Sequence, residues 1–116
     1  MSTIKISAVE MVKAIKKGEV SSEELVKNYI QQIKKKEKDV KAFQFFDEEL
    51  VLAQAKKLDA LHQAGQHGDL HGIPVGVKDI FDTVDMPTED GTEIHKNNPN
   101  LNDCTVVSKL KQAGAI

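Results

Sequence analysis

Tryptophan and arginine are both missing from this sequence, and cysteine and tyrosine occur once each. With aromatic residues at 4 %, the core has to be aliphatic, built from Val, Ile, Leu and Ala. Without arginine, the 16 basic residues are all lysine, set against 18 acidic ones for a formal net charge of −2. A nucleic-acid partner is disfavoured, because it calls for a basic surplus and for arginine forks on phosphate. The lone Cys104 excludes an intrachain disulfide and fits a reducing compartment. No segment approaches the roughly 20 apolar residues of a membrane span. Lys5, Glu10 and Lys13 interrupt any apolar run of the signal-peptide kind. These absences describe a soluble, cytoplasmic protein with no membrane partner. A chain of 116 residues allows one domain, which buries roughly two-thirds of its unfolded surface.

Helix signals dominate the first half. Ser7 with Glu10 forms a capping box ahead of Ala8, Met11, Val12 and Ile15, and Gly18 stops that helix. Ser21 with Glu24 repeats the box, and Val26, Tyr29, Ile30 and Ile33 make the apolar stripe of a second helix running out in the lysine cluster Lys34 to Lys38. Residues 40–46 read as a short strand with Phe43 and Phe45 on one side. Asp47 caps a third helix carrying Val51, Ala55, Leu58 and Leu61, which ends near Gly65. A polar, glycine-containing loop follows, and then a second strand over residues 73–80, whose Pro74 is tolerated near the strand start. Residues 82–101 lack periodicity and form a long excursion of the kind that is functional or disordered. Asn102 or Asp103 caps a fourth helix with Val106, Leu110 and Ala113 on one face, and Gly114 ends it. The order strand, helix, strand, loop, helix predicts an α/β architecture. Ala115 and Ile116 read as the opening of one more strand, so residues 1–116 are expected to be a single partial domain.

Alternation along the second strand puts Ile73, Val75 and Val77 on one face and Gly76 and Lys78 on the other. Gly76 clears space beside the lysine. A lysine in apolar surroundings loses the hydration of its charged form, which makes a neutral amine available as a base. The competing reading is a lysine that snorkels to solvent or pairs with Asp79, Asp82 or Asp85, and on spacing alone it is the stronger of the two. His62, His67, His71 and His95 raise the question of a metal, but Gly68 and Gly72 break the helix that would align His67 with His71, so solvated loop histidines are expected and no cofactor. Cys104 near a helix start, with His95, is conceivable as a thiol nucleophile, against a small residue filling a first turn. Gly65, Gly68, Gly72 and Gly76 follow no phosphate-loop pattern and read as turn residues.

The run Leu70-His71-Gly72-Ile73-Pro74-Val75-Gly76-Val77-Lys78-Asp79 resembles the lysine strand of the amidase signature family. Asp85 to Thr92 is similar to that family's Pro-Thr-x-x-Gly-Ser segment, with Thr92 in place of serine. Asp103-Cys104-Thr105-Val106-Val107 and Ala113-Gly114-Ala115-Ile116 resemble its Asp-Ala-x-Val-Val helix and Ala-Gly-Ala turn, and Ser21 to Leu25 with Ala42-Phe43 resemble its opening. The resemblance implies the N-terminal portion of an amidase signature domain, helices packed on an incomplete mixed sheet. It implies an amidohydrolase of linear amides, malonamidase-like in its Met-Pro-Thr-Glu wording rather than like the tRNA-dependent amidotransferases. It implies a Ser–cis-Ser–Lys triad in which Lys78 is the catalytic lysine. Both serines of that triad lie in a Gly/Ser-rich region that does not occur here. Ser2, Ser7, Ser21, Ser22 and Ser108 stand in other contexts, so the chain alone is expected to be inactive. Its expected partners are a small-molecule amide and either the remainder of the domain or a second copy. The alternatives are one chain of a split enzyme, or a non-catalytic interaction module.

Overall fold

The computed structural model describes residues 6–116. Its elements are α1 (Ala8–Lys16), α2 (Ser22–Val40), α3 (Glu48–Gln63), a single 3-10 turn (Glu93–His95) and α4 (Thr105–Gln112). The starts of α1, α2 and α3 follow the expected caps. The Ser7 side chain accepts from the Glu10 backbone, while the Glu10 carboxylate accepts from Ser7 N–H at 2.7 Å. Ser21 and Asp47 accept in the same way from the N–H of Glu24 and Leu50. These bonds satisfy donors that a first helical turn cannot pair within itself.

Two apolar clusters make the core. Met11, Val12 and Ile15 of α1 pack with Val20, Leu25 and Ile73. Val26 and Ile30 of α2 pack with Ala55 of α3, flanked by Val51, Leu52 and Ile116. The α2–α3 pair is tied by a contact that sequence spacing does not show. The Asp59 carboxylate accepts from Ser22 N–H at 2.7 Å and from Glu23 N–H at 3.0 Å, a charged cap on the α2 N-terminus delivered from another helix. α2 also runs past the lysine cluster to Val40, where Lys41 adopts the left-handed conformation at φ 52° and ends it.

The expected mixed sheet is not found among the described residues. Among the described residues no segment is a strand, and the one isolated bridge joins Thr83 and Met86. Residues 40–46 are the end of α2 and an irregular connection with Phe43, Phe45 and Phe46 partly exposed. Residues 73–78 are extended, and their hydrogen bonds explain why they stop short of a strand. Ile116 N–H donates to Ile73 C=O at 2.9 Å and Val75 N–H donates to Ile116 C=O at 2.8 Å. That pair of bonds around Pro74 is the repeat unit of a parallel ladder, and no further described residues lie beside it to extend the ladder. Pro74 itself donates to neither bond, so its missing N–H costs nothing on this side.

α4 starts differently from the expectation. Cys104 occupies the cap position with no side-chain cap bond. The Asp103 carboxylate turns away from the helix, accepting from Val84 N–H at 2.9 Å and from Lys111 Nζ. It is better satisfied there, because an ammonium outweighs a backbone donor. Gly114, at φ 88°, terminates α4 as expected.

Candidate active site

Lys78 is positioned from both sides. Upstream, Gly72 N–H donates to Gly114 C=O at 2.9 Å, and the bonds to Ile116 continue the alignment. Gly72 is buried at φ 77°, and a Cβ there would lie 2.4 Å from Ser22 Oγ and 2.9 Å from Ile15 Cδ1. Only glycine lets the extended segment cross α1 and α2 so closely. Downstream, Phe81 N–H closes a turn on Lys78 C=O at 3.1 Å. The Asp79 carboxylate accepts from Glu89 N–H at 2.8 Å, and Asp79 C=O accepts from Asp90 N–H at 3.0 Å.

The long excursion is held by side chains. Asn100 Nδ2 donates to Thr83 C=O, to Met86 C=O and, at 2.7 Å, to Thr88 Oγ1. Thr88 Oγ1 in turn donates to Phe81 C=O at 3.2 Å. Thr83 and Thr88 are buried, so the segment after Lys78 is built as a folded unit on a polar centre. Lys111 Nζ bridges Asp85 and Asp103 and fixes that unit to α4. Burial alone would push the Lys111 ammonium down, but the hydrogen bonds to Asp103 and Asp85 outweigh it and hold the group above the ordinary lysine value. The same contact, with Val84 N–H, holds the Asp103 carboxyl below its usual range.

The alternation expected around Lys78 is present. Ile73 is buried, Val75 and Val77 are half-buried, and Gly76 and Lys78 are exposed. A Cβ at Gly76 would meet nothing within 4 Å, so the space beside the lysine is open. The expected apolar burial of Lys78 is not found, because the 76/78 face has no covering layer among the described residues. The expected carboxylate pairing is not found either. Asp85 is engaged by Lys111, Asp79 by Glu89 N–H, and Lys78 makes no ion pair or side-chain hydrogen bond among the described residues. The side chain lines a groove of about 280 Å³ whose other wall is Ala42 to Phe45, closed at one end by Phe81, Met86 and Pro87. Gln44, on that wall, donates from Nε2 to Glu89 Oε2 at 2.9 Å. The opposite, apolar face of the segment opens on a second groove of about 430 Å³, where Val75 and Val77 meet Leu58, Leu61, Leu110 and Ile116.

The other candidate residues separate. Cys104 is half-buried, its N–H donating to Asp82 C=O at 2.9 Å, and His95 is exposed in the 3-10 turn. No hydrogen bond joins them. Ser7, Ser21 and Ser108 lie at caps or inside α4, and Ser22 opens α2 with its buried Oγ unpartnered. Ser2 lies outside the described residues. His67 and His95 are exposed, as expected of solvated histidines, His62 is half-buried, and His71 departs from that expectation. His71 is 1 % exposed with Nε2 on Leu58 C=O at 3.0 Å, and the rings of His62 and His67 gather around it. Burial pushes the His71 imidazole below the ordinary histidine value, the Leu58 bond opposes this, and His67 and His62 push it further down. The loop expected from the glycines is present. Gly65, at φ 75°, and the bend at Gly72 fold the loop back onto α3 and replace the helix that would have aligned these rings.

Comparison with known proteins gives a family, two relatives and two similar solved structures. The family model described as Amidase matches residues 24–116. The chain is 39 % identical over 110 residues to a glutamyl-tRNA(Gln) amidotransferase subunit of Nitrosococcus oceani, covering 95 % of this chain and 23 % of that protein. It is 35 % identical over 113 residues to a Mycobacterium tuberculosis protein named as an amidase, AmiD, covering 97 % and 24 %. Among solved structures, fatty acid amide hydrolase superposes with a TM-score of 0.88 at 28 % identity over 95 % of this chain and 20 % of that one. An amidase family protein from Bacillus anthracis superposes with a TM-score of 0.85 at 31 % identity over 97 % and 23 %. The chain thus spans about a quarter of the length of the relatives it matches, and corresponds to their N-terminal portion.

Proposed function

Because the chain belongs to the amidase family, we propose that it is the lysine-bearing part of an enzyme that cleaves the C–N bond of linear amides, with Lys78 as its general base. The observation that carries this reading is a lysine with no carboxylate partner, beside a glycine that leaves its flank empty, on the wall of a groove. A paired lysine would be held charged. An unpaired one needs only to be covered to lose its hydration and favour the neutral amine.

In the reaction, the Lys78 amine takes a proton from a bridging serine. That serine takes one from a second serine, whose oxygen attacks the amide carbonyl. The tetrahedral adduct collapses with loss of ammonia or an amine, which carries the proton away, and water releases the acyl group. The two hydroxyls come from outside this chain's described elements, either from the rest of a longer domain or from a second chain. They are brought in by the same layer that covers the open face of residues 72–78. The serines among the described residues cap or open helices or sit within α4, and on this reading the chain by itself is inert.

Co-expression with the remaining part of an amidase domain, supplied in trans, tests this. The expected result is hydrolysis of a small linear amide by the reconstituted pair, lost with Lys78→Ala. Full activity in a reconstituted Lys78→Ala pair would refute the assignment. Failure to associate would favour the non-catalytic alternative, in which the 430 Å³ apolar groove takes some other partner.

A further inference from the structure

Away from the Lys78 groove, the loop after α3 brings three imidazoles together. His62 projects from the last turn of α3, His67 follows the turn at Gly65, and His71 stands in the bend that opens the extended segment. One nitrogen from each ring lies within 4.8 Å of the others, and His62 Nδ1 is 3.1 Å from His67 Nδ1. A zinc-type ion with Zn–N bonds of about 2.0–2.1 Å holds two ligand nitrogens about 3.4 Å apart at the tetrahedral angle, so small ring rotations convert the cluster into a coordination shell. The His71 ring is already oriented. Its Nε2–H on the Leu58 carbonyl, at 3.0 Å, is the support that ligating histidines use, and it leaves the other ring nitrogen with the lone pair. The backbone between the ligands is clamped as well. Leu70 N–H donates to Ala113 C=O at 2.8 Å, and the close approach of Gly68 to that same carbonyl leaves no room for a Cβ.

We infer that His62, His67 and His71 bind one divalent transition-metal ion of the zinc type, with the fourth position open to water. All three ligand atoms are imidazole nitrogens, with no carboxylate among them. That donor set selects Zn²⁺, Co²⁺, Ni²⁺ or Cu²⁺ over Mg²⁺ and Ca²⁺. The bound ion pins the C-terminal end of α3 to the bend that launches residues 72–78. The nearby Asp59 carboxylate is not a competitor, because it is committed to the α2 N-terminus.

The test uses the full chain without a polyhistidine tag, stripped with chelator and titrated with Co²⁺ and then Zn²⁺. The expected result is one Co²⁺ per chain with visible d–d absorption, displaced by one Zn²⁺, and a rise in unfolding midpoint with Zn²⁺. His67→Gln weakens binding at least tenfold, and His95→Gln leaves it unchanged. His67 is exposed, so its replacement spares the core. If circular dichroism nonetheless changed, the half-buried His62→Gln would serve as the second variant. Less than half an ion per chain, or equal affinity in the variant and the parent chain, would overturn the inference.

Discussion

From Ala8 to Gln63 most of the backbone pairs within three helices capped by nearby side chains and by Asp59, and their apolar stripes meet in two clusters. From Gly72 to Leu101 it depends on the segment's own Asn100, Thr88 and Asp79 side chains and on Asp103, Cys104, Gly114 and Ile116 outside it. The helical part hides Ile15 and Leu25 almost completely. The extended part leaves Ile80, Phe81 and Val84 between 38 % and 50 % exposed. The difference teaches where stability sits and where the proposed chemistry would sit. A helix closes its hydrogen bonds locally, whereas an extended segment needs neighbours on both edges and both faces. The segment with open edges is also the one that carries Lys78. An unfinished surface is where a second layer can bring reacting groups to an amine.

The largest expected effect would break the comparison outright if it failed. Lys78→Ala in the reconstituted enzyme lowers the rate of amide hydrolysis by on the order of 10²–10⁴-fold, the usual worth of a positioned proton acceptor. The same change shifts the denaturant midpoint of the chain by no more than a surface substitution does. Ile15→Ala sharpens the contrast from the other side. Deleting a side chain that is 1 % exposed costs about 2–5 kcal/mol in urea unfolding and leaves the Lys78 groove unaltered. Asp59→Ala removes the cap that α3 lends to α2 and costs about 1–2 kcal/mol in the same measurement, with the loss visible as faster amide exchange at Ser22 and Glu23.

The smallest effect is one of pH. In metal-stripped chain, burial holds His71 below the ordinary histidine value of 6.5, so the folded state takes up its proton later than the unfolded chain does. The stability His71 contributes is therefore complete above about pH 6.5 and is lost as pH falls from there through the lower, folded value. His71→Asn flattens the unfolding profile over that window. An unchanged slope would overturn the assignment of this dependence to His71.

Local rules make much of this legible. Ser7 with Glu10, Ser21 and Asp47 announce three helix starts, and Gly18 and Gly114 two helix ends, because a cap is a bond between residues three or four apart. The alternation from Ile73 to Lys78 is legible for the same reason. The fate of Asp103 is not, because Lys111 and Val84 N–H, both remote in sequence, outcompete the adjacent helix end. The irregular path of residues 40–46 is hidden too, because β-branched and aromatic composition signals a pleated surface only when a partner strand is there to define one.

The sequence by itself determined the helices, the aliphatic core they bury, and the position of one lysine after an alternating apolar run. Only the tertiary structure decided that Lys78 stands unpaired on an open face, that Asp59 caps a helix 37 residues away, and that three histidines separated by glycine turns converge. The reason is range. Periodicity and capping are fixed by neighbours along the chain, whereas the pairing of charges and the gathering of rings depend on which segments the folded core brings side by side.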